Sequence, residues 1–205
     1  MTIDKSEIRT SFRLAKDKRK QTSVKPILFN SEMVRAILEG RKTVTRRVVK
    51  DYYKYERLLG IELKFPMQVY KAFNSPCEPG DILWVRETWT SLVGSYLYRA
   101  DQKPGMKNPG KWRPSIHMPR EAARIWLRVT DVRVEQLQEI DEDGIRAEGL
   151  TSACVHAGDM EIAAQEFALL WDSTIKPADL DCYGWDANPW VWVIEFERCE
   201  KPEEA

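Results

Sequence analysis

The sequence predicts an α+β fold in which a small β-barrel is flanked by short helices. Three features indicate this fold class: many short runs of β-branched and aromatic residues, few helical patterns, and a long central strand whose apolar residues change face part-way along. With 205 residues, 43% of them hydrophobic, the chain has enough apolar material for one domain with a core. We expect a basic flexible arm over residues 1–24, a single domain over 25–198 with insertions at 50–64 and 101–119, and a tail over 199–205.

The first part of the domain contains one helix between two strands. Residues 25–29 predict a strand, and Asn30 or Ser31 then supplies the N-cap of a short helix. Its apolar residues recur at three- and four-residue spacings, and Gly40 stands where a left-handed C-terminal residue is favoured. The β-branched run 43–49 predicts the next strand. The apolar face of this helix consists of Met33, Val34, Ile37 and Leu38.

The remainder of the domain is rich in strand patterns. The predicted strands are 67–73, 82–87, 95–100, 124–135 and 190–196. Within 124–135 the apolar parity changes, which predicts a bulge near Thr130 and Asp131, and such bends close small barrels. Helices are predicted over 140–149 and after the cap Asp159, and loops over 101–119 and 173–189. The second of these helices has a core stripe of Ala163, Phe167, Leu170 and Trp171.

The cysteines and the hydropathy exclude several classes of protein. The four cysteines form no C-x-x-C motif, which argues against a zinc ribbon or knuckle, and we expect free thiols in a reducing cytoplasm. No run of 18 apolar residues exists, so no membrane span is expected, and the first 24 residues lack the apolar centre of a signal peptide.

The charged residues are distributed unevenly although the formal net charge is zero. Residues 1–50 contain 14 Lys and Arg against 5 Asp and Glu, whereas residues 131–205 contain 5 against 19. A basic half can attract phosphates. The alternative interpretation is that the two halves partly neutralise each other in the fold.

The segment 40–47 concentrates groups that can carry chemistry. Lys42 and Thr45 bring an amine and a hydroxyl together at a helix-to-strand junction, and Arg41, Arg46 and Arg47 surround them with positive charge. The alternative is structural, because cations at a helix C-terminus complement its dipole.

Residues 40–47 resemble the G-x-K-x-x-[E/T]-x-R signature of ASCH domains, which belong to the PUA-like β-barrel superfamily. The preceding helix, the Pro79-Gly80-Asp81 turn before a strand, and the terminal strand are also similar to that family, over roughly residues 25–198. Residues 84–89 and 115–120 resemble a larger subgroup found in bacteriophages and prophages.

Within this resemblance the chain is similar to small bacterial amidohydrolases that act on N(4)-acetylcytidine. The resemblance implies that Lys42, Thr45 and Glu148 are catalytic, with Glu142 or Glu87 as alternatives to Glu148. Amide hydrolysis needs a nucleophile, a base and a proton donor for the leaving nitrogen. Lys42 can act as the base only when neutral, and a free lysine has a pKa of about 10.4, so burial and neighbouring arginines must lower it. A purely structural Lys42–Glu148 ion pair is the alternative.

Other residues are predicted to bind the substrate, which is a modified nucleoside, RNA or single-stranded nucleic acid. They are Arg41, Arg46, Arg47, Arg86, Glu87, Trp112, His117 and Arg120. Trp112 lies in a Gly- and Pro-rich loop, where an aromatic ring can stack on a base or cover the core. Two alternatives to the hydrolase remain: a non-catalytic RNA- or DNA-binding module, and a ribonuclease. No cofactor and no metal are expected, and the oligomeric state cannot be read from the sequence.

Overall fold

The structure, a computed structural model, describes residues 22–50, 52, 74–103, 105–107, 109–150 and 159–203. Its strands are β1 (Val24–Leu28), β2 (Val44–Val48), β3 (Ile82–Arg86), β4 (Trp89–Leu92), β5 (Ser95–Tyr98), β6 (Trp126–Gln136) and β7 (Trp190–Cys199). Within these residues the α-helices are α1 (Ser31–Leu38), α2 (Glu142–Ala147), α3 (Met160–Thr174) and α4 (Leu180–Tyr183). The predicted strand 67–73, the arm over 1–21 and nearly all of the insertion 50–64 lie outside the described residues.

Among the described residues, five strands form one sheet in the order β1-β3-β6-β7-β2, and β4 pairs with β5 in a separate hairpin. The β1–β3 pair is parallel and the other pairs are antiparallel. Mixed helix and sheet confirm the α+β class. The predicted barrel closure is not seen in the described ranges, where β1 and β2 are the edge strands. However, Arg47 of β2 donates a hydrogen bond to the Leu28 carbonyl of β1 at 2.8 Å, so the two edges lie close together.

The predicted bulge is present in β6. Val129 pairs with Phe196 and Asp131 pairs with Glu195, so Thr130 is the extra residue. The extra residue exchanges the two faces of the strand, which explains the change of parity in the sequence. Both halves of β6 can therefore contribute apolar side chains to the same core.

Strand β7 is buried on both faces and separates two apolar cores. Trp192, Ile194 and Phe196 pack with α1 and the first half of the chain, whereas Val191 and Val193 pack against α2 and α3. Alternation with period two places successive side chains on opposite faces, so a continuous apolar run is needed for a strand with helices on both sides. Strand β2 lies beside this central strand, and its register with β7 is fixed from Val44 to Val48.

The helix α1 begins and ends as predicted. The Asn30 side chain accepts a hydrogen bond from the Met33 N–H at 2.8 Å, which satisfies one free donor of the first turn. Gly40 has a φ of 77°, the left-handed conformation that ends helices. Val34 and Ile37 are buried in the core.

Strand β4 and helix α4 are not predicted by the sequence. The β4–β5 hairpin turns through Val93 and Gly94, which both have positive φ, and a β-branched residue at such a position gives no turn signal. Helix α4 lies inside the predicted loop 173–189 and has only four residues, too few to show a helical period. It is held by tertiary contacts instead: the Trp171 indole N–H donates to the Tyr183 carbonyl at 2.8 Å.

The described cysteines, Cys77, Cys182 and Cys199, are all free thiols. No helix in the described ranges is both long enough and apolar enough to span a bilayer.

Candidate active site

Lys42 lies in the short connection between α1 and β2. The backbone N–H groups of Arg41 and Lys42 both donate to the Ala36 carbonyl, at 2.8 and 3.1 Å. This bend carries the Lys42 side chain into the protein, and only 2% of the residue is exposed. Lys42 is therefore not a solvated cation at the end of a helix.

Glu148 reaches the same place from the other half of the chain. Asp141 caps α2 by accepting a hydrogen bond from the Gly144 N–H at 2.7 Å, and Glu148 is the residue that ends this helix. The Thr43 N–H donates to the Ala147 carbonyl at 2.9 Å. The last turn of α2 is thus hydrogen-bonded to the segment that leads into β2.

The charged side chains meet in a buried cluster of two cations and two carboxylates. The Lys42 Nζ donates to the Glu148 carboxylate and, at 3.1 Å, to the backbone carbonyl of the same residue. Arg46 donates from Nη1 to Glu148 and from Nη2 to Glu135, both at 3.3 Å. Glu135 is half-buried and also accepts a hydrogen bond from Arg133. Each of the two buried cations thus has a carboxylate partner, as burial of ionised groups requires.

Gly149 allows the two halves of the cluster to approach each other. Its φ is 95°, and a Cβ at this position would lie 2.9 Å from the Cβ of Ala36 and 3.1 Å from the Cβ of Lys42. Only glycine has neither the strain nor the collision. The residue next to Glu148 is therefore packed directly against the Lys42 backbone segment.

The environment lowers the pKa of Lys42 from its ordinary value of 10.5. Desolvation is the main cause, because burial disfavours the ammonium form. The negative charge and the hydrogen bond of Glu148 act in the opposite direction, and the charges of Arg47 and Arg46 lower the pKa further. The net effect favours the neutral amine, which is the form that can accept a proton.

A cavity of about 250 Å³ lies against this cluster. Thr45, Arg46 and Glu148 are among its lining residues. Its largely apolar remainder includes Phe167, Leu170, Trp171, Thr174 and Ile175, from α3 and the residue that follows it. Thr45 and Glu148 thus line one cavity, whereas Lys42 is hydrogen-bonded to Glu148 but does not itself line the cavity. We call this space the Lys42 cavity.

Arg46 contributes a donor that has no partner. Its Nε is buried and makes no hydrogen bond within the described part of the chain, although both terminal nitrogens are bonded to carboxylates. A buried donor without an acceptor costs on the order of 1–3 kcal/mol.

The other two arginines of the motif lie around the cluster. Arg41 donates to the Gly149 carbonyl and to the Glu39 carboxylate, so it fastens the end of α2 to the end of α1. Arg47 lines the cavity, and its guanidinium lies 5.3 Å from the centre of the Phe29 ring. The Lys42 Nζ lies 5.8 Å from the centre of the same ring.

The two alternative acids are engaged elsewhere. Glu87 is almost fully buried and accepts two hydrogen bonds from Arg124, at 2.8 and 3.0 Å. Burial raises the pKa of Glu87, and Arg124 only partly opposes this. Glu142 forms an ion pair with Arg146 on its own helix. Of the three candidate acids, Glu148 is the one that contacts Lys42.

Besides Arg41 and Glu87, four predicted binding residues do not line the Lys42 cavity. Arg86 lies over the Trp84 ring at 5.3 Å, and Arg120 lies over the Trp126 ring at 5.6 Å. His117 is exposed on a short 3-10 turn, and Trp112 lines a second cavity. The structure therefore separates these residues from Lys42.

Two contributors to the site were missed from the sequence. Glu135 was assigned only to the strand 124–135, yet it bonds Arg46 across the sheet. The α3 stripe was interpreted as core alone, yet Phe167, Leu170 and Trp171 also line the cavity. A charged residue within an apolar strand was the available signal for Glu135, but its partner depends on the strand order.

Within the described ranges, no group of three or more His, Cys, Asp or Glu side chains is arranged to hold a metal ion.

No family model and no curated protein sequence matches the chain. Solved structures do match. A protein from Enterococcus faecalis V583 that is described as DUF984 has a TM-score of 0.45 and 14% identity, covering 94% of this chain and 86% of that chain. An ASCH domain from Lactobacillus crispatus JV V101 has a TM-score of 0.39 and 14% identity, covering 94% and 92%.

Proposed function

We propose that this chain is an amidohydrolase that removes the acyl group from an N(4)-acylated cytidine or a related modified nucleoside. The observation that supports it most is the buried Lys42–Glu148 pair, in which the pKa of the lysine is lowered, beside a cavity lined by Thr45. A base, an alcohol and an acid in one place are the groups that amide hydrolysis needs.

The cavity fits a single modified base better than a long polymer. Its volume of about 250 Å³ is at the small end for ligand pockets, and its lining combines aromatic rings with guanidinium groups. Phe167 and Trp171 can contact the flat faces of a ring. Arg46 and Arg47 can donate hydrogen bonds to the oxygens of cytosine and of the acyl group.

In the first step, the Thr45 oxygen attacks the acyl carbon while its proton moves to the neutral Lys42 amine. The Lys42 Nζ already donates to two oxygens of Glu148, and these bonds orient its remaining position. The negative charge that develops on the acyl oxygen is stabilised by the guanidinium groups of Arg46 and Arg47, which line the cavity.

In the second step, the bond between the acyl carbon and N4 breaks, and the Lys42 ammonium returns its proton to N4. Cytidine leaves with its free amine, and the acyl group remains as an ester on Thr45. Water then attacks this ester with the same amine as base, which releases the carboxylic acid and regenerates the hydroxyl. Glu148 stabilises the ammonium that forms in each step.

The role of Thr45 is tested by comparing Thr45→Val with Thr43→Val. Both substitutions remove one hydroxyl at nearly constant volume, but Thr43 is exposed whereas Thr45 is buried at the cavity. With N(4)-acetylcytidine as substrate, we expect Thr45→Val to lower the rate of cytidine release by at least about a hundredfold and Thr43→Val to leave it unchanged. The measurement is chromatographic separation of substrate and product.

The same assay can exclude Thr45 as the nucleophile. If Thr45→Val retains the full rate while circular dichroism shows a native fold, Thr45 is not the nucleophile. Rapid quenching followed by mass spectrometry should find the acetyl ester on the wild-type protein and on Thr43→Val, but not on Thr45→Val.

A further inference from the structure

A second pocket of about 250 Å³ shares no lining residue with the Lys42 cavity. Three aromatic side chains line it, Tyr96, Tyr98 and Trp112, together with Arg124. Trp112 and Tyr98 are half-buried, and Tyr96 is 36% exposed, so their rings are accessible from the pocket. An accessible pocket lined by several aromatic rings is suited to an inserted planar ring.

Arg124 is held rigidly in this pocket. Its guanidinium donates to Glu87 at 2.8 and 3.0 Å and to Asp101 at 2.6 and 3.0 Å, and it lies 3.9 Å from the centre of the Tyr98 ring. Four hydrogen bonds and a ring contact fix the plane of the group. A guanidinium plane fixed in this way can stack on a nucleobase as an aromatic ring does.

The segment 95–113, which supplies most of this pocket, is strongly basic. It contains five cations and a single carboxylate, and that carboxylate, Asp101, is already bonded to Arg124. The cations are exposed: Arg99, Lys103, Lys107, Lys111 and Arg113. Within the described residues, none of them forms an ion pair with a carboxylate. A neighbouring depression of about 640 Å³ continues the surface, because Asp101 and Gln102 line both.

We propose that this aromatic pocket and the basic segment 95–113 bind single-stranded nucleic acid, with one unstacked base in the pocket and the phosphates along the cations. This site is separate from the Lys42 cavity and does not depend on the proposed hydrolase activity. A polymer that carries one negative charge per planar ring matches both halves of the surface. An acidic peptide would satisfy the cations but would leave the aromatic pocket unused.

The single-stranded form follows from the shape of the pocket. The bases of a duplex are stacked on each other and paired, so none can enter a pocket of this size without being extruded. A single strand can present an unstacked base at little cost. Phosphate contacts through exposed lysines and arginines make such binding weaken with rising salt.

The test is fluorescence anisotropy with a fluorescein-labelled single-stranded RNA that contains no acylated cytosine. Because the probe is not a substrate, the result is independent of catalysis. We expect the wild-type protein to bind the single strand at least about tenfold more tightly than a duplex of the same sequence. Trp112→Leu should weaken binding about tenfold, and Trp112→Phe should restore most of it.

The charge contribution is tested with Lys103→Gln and Lys107→Gln. Each should reduce the slope of log Kd against log salt by about 0.7, whereas Lys201→Gln, at an exposed site in the acidic half of the chain, should not. Circular dichroism verifies that each variant is folded. Equal affinity for duplex, equal displacement of the probe by polyglutamate and by unlabelled RNA, or an unchanged affinity in a folded Trp112→Leu variant would each overturn the proposal.

Discussion

At the scale of single residues, the most informative feature of the site is the burial of Lys42. Its side chain is removed from water, and desolvation lowers its pKa although Glu148 is hydrogen-bonded to it. Each unit of pKa shift corresponds to about 1.4 kcal/mol of differential stabilisation between the two protonation states. Burial on folding therefore shifts the equilibrium of this side chain toward the neutral amine.

The lowered pKa of Lys42 predicts how stability changes with pH. Because the pKa is below 10.5 in the folded state and ordinary in the unfolded state, the unfolded chain binds more protons at this site between the two values. The free energy of unfolding should therefore rise with pH in that window. Lys42→Met has no such group. We expect the difference in unfolding free energy, wild type minus Lys42→Met, to increase from pH 7 toward 10.5 in urea titrations.

The control for this experiment is Lys176→Met, since Lys176 is exposed on a turn. The difference in unfolding free energy between the wild type and Lys176→Met should not change between pH 7 and 10.5. A Lys42→Met difference that is flat or falls with pH would mean that Lys42 remains a fully charged partner of Glu148, which is the purely structural interpretation of the pair.

The residue types of the site could be predicted from the sequence, but not all of its partners. Lys42, Thr45 and Glu148 were candidates because of a local motif and a family resemblance, and the structure places Glu148 on Lys42. Glu135 could not be predicted, because its contact with Arg46 joins residues 89 positions apart across three strands. Glu87 was an alternative to Glu148 in the sequence, but in the structure its carboxylate is hydrogen-bonded to Arg124.

At the scale of secondary-structure elements, the site depends on the docking of the α2 C-terminus against the α1–β2 connection. One backbone hydrogen bond, from the Thr43 N–H to the Ala147 carbonyl, links the two segments, and Gly149 permits their close approach. The elements themselves are ordinary: a capped helix, a glycine-ended helix and a β-branched strand. What is specific is the absence of a Cβ at the contact.

Gly149→Ala tests this docking against Gly40→Ala. Both glycines have positive φ, so both substitutions should cost about 1–2 kcal/mol of backbone strain. Only at Gly149 would the new methyl group meet Ala36 at 2.9 Å, whereas nothing described lies within 4 Å of a Cβ at Gly40. We expect Gly149→Ala to lose a further ~1–3 kcal/mol in urea denaturation. Equal losses in the two variants would show that α2 is not tightly docked.

The elements with strong local signals were predicted, and those made by tertiary contacts were not. The bulge at Thr130 and the caps at Asn30 and Asp159 follow from parity and side-chain chemistry. Helix α4 and strand β4 depend on contacts that no short window of sequence contains. The role of α3 as a cavity wall also could not be read, because a core stripe and a pocket lining have the same hydrophobic period.

At the scale of the whole molecule, the uneven charge distribution of the chain is partly cancelled by the fold. Residues of the basic N-terminal part, Lys42 and Arg46, pair with Glu148 and Glu135 of the acidic C-terminal part. The neutralising interpretation of the charge pattern therefore applies at the candidate active site. The segment 95–113 belongs to neither of these two parts of the chain, and its cations are exposed.

The proposed role of the buried Lys42 amine, as a base that acts on an acylated nucleoside, is tested by removing that amine. The measurement is the rate of cytidine release from N(4)-acetylcytidine by the wild-type protein, Lys42→Met and Lys176→Met, each verified as folded by circular dichroism. We predict turnover by the wild type and by Lys176→Met, and a loss of at least about a hundredfold in Lys42→Met. Turnover that persists in folded Lys42→Met, or no turnover by the wild-type protein, would contradict the account.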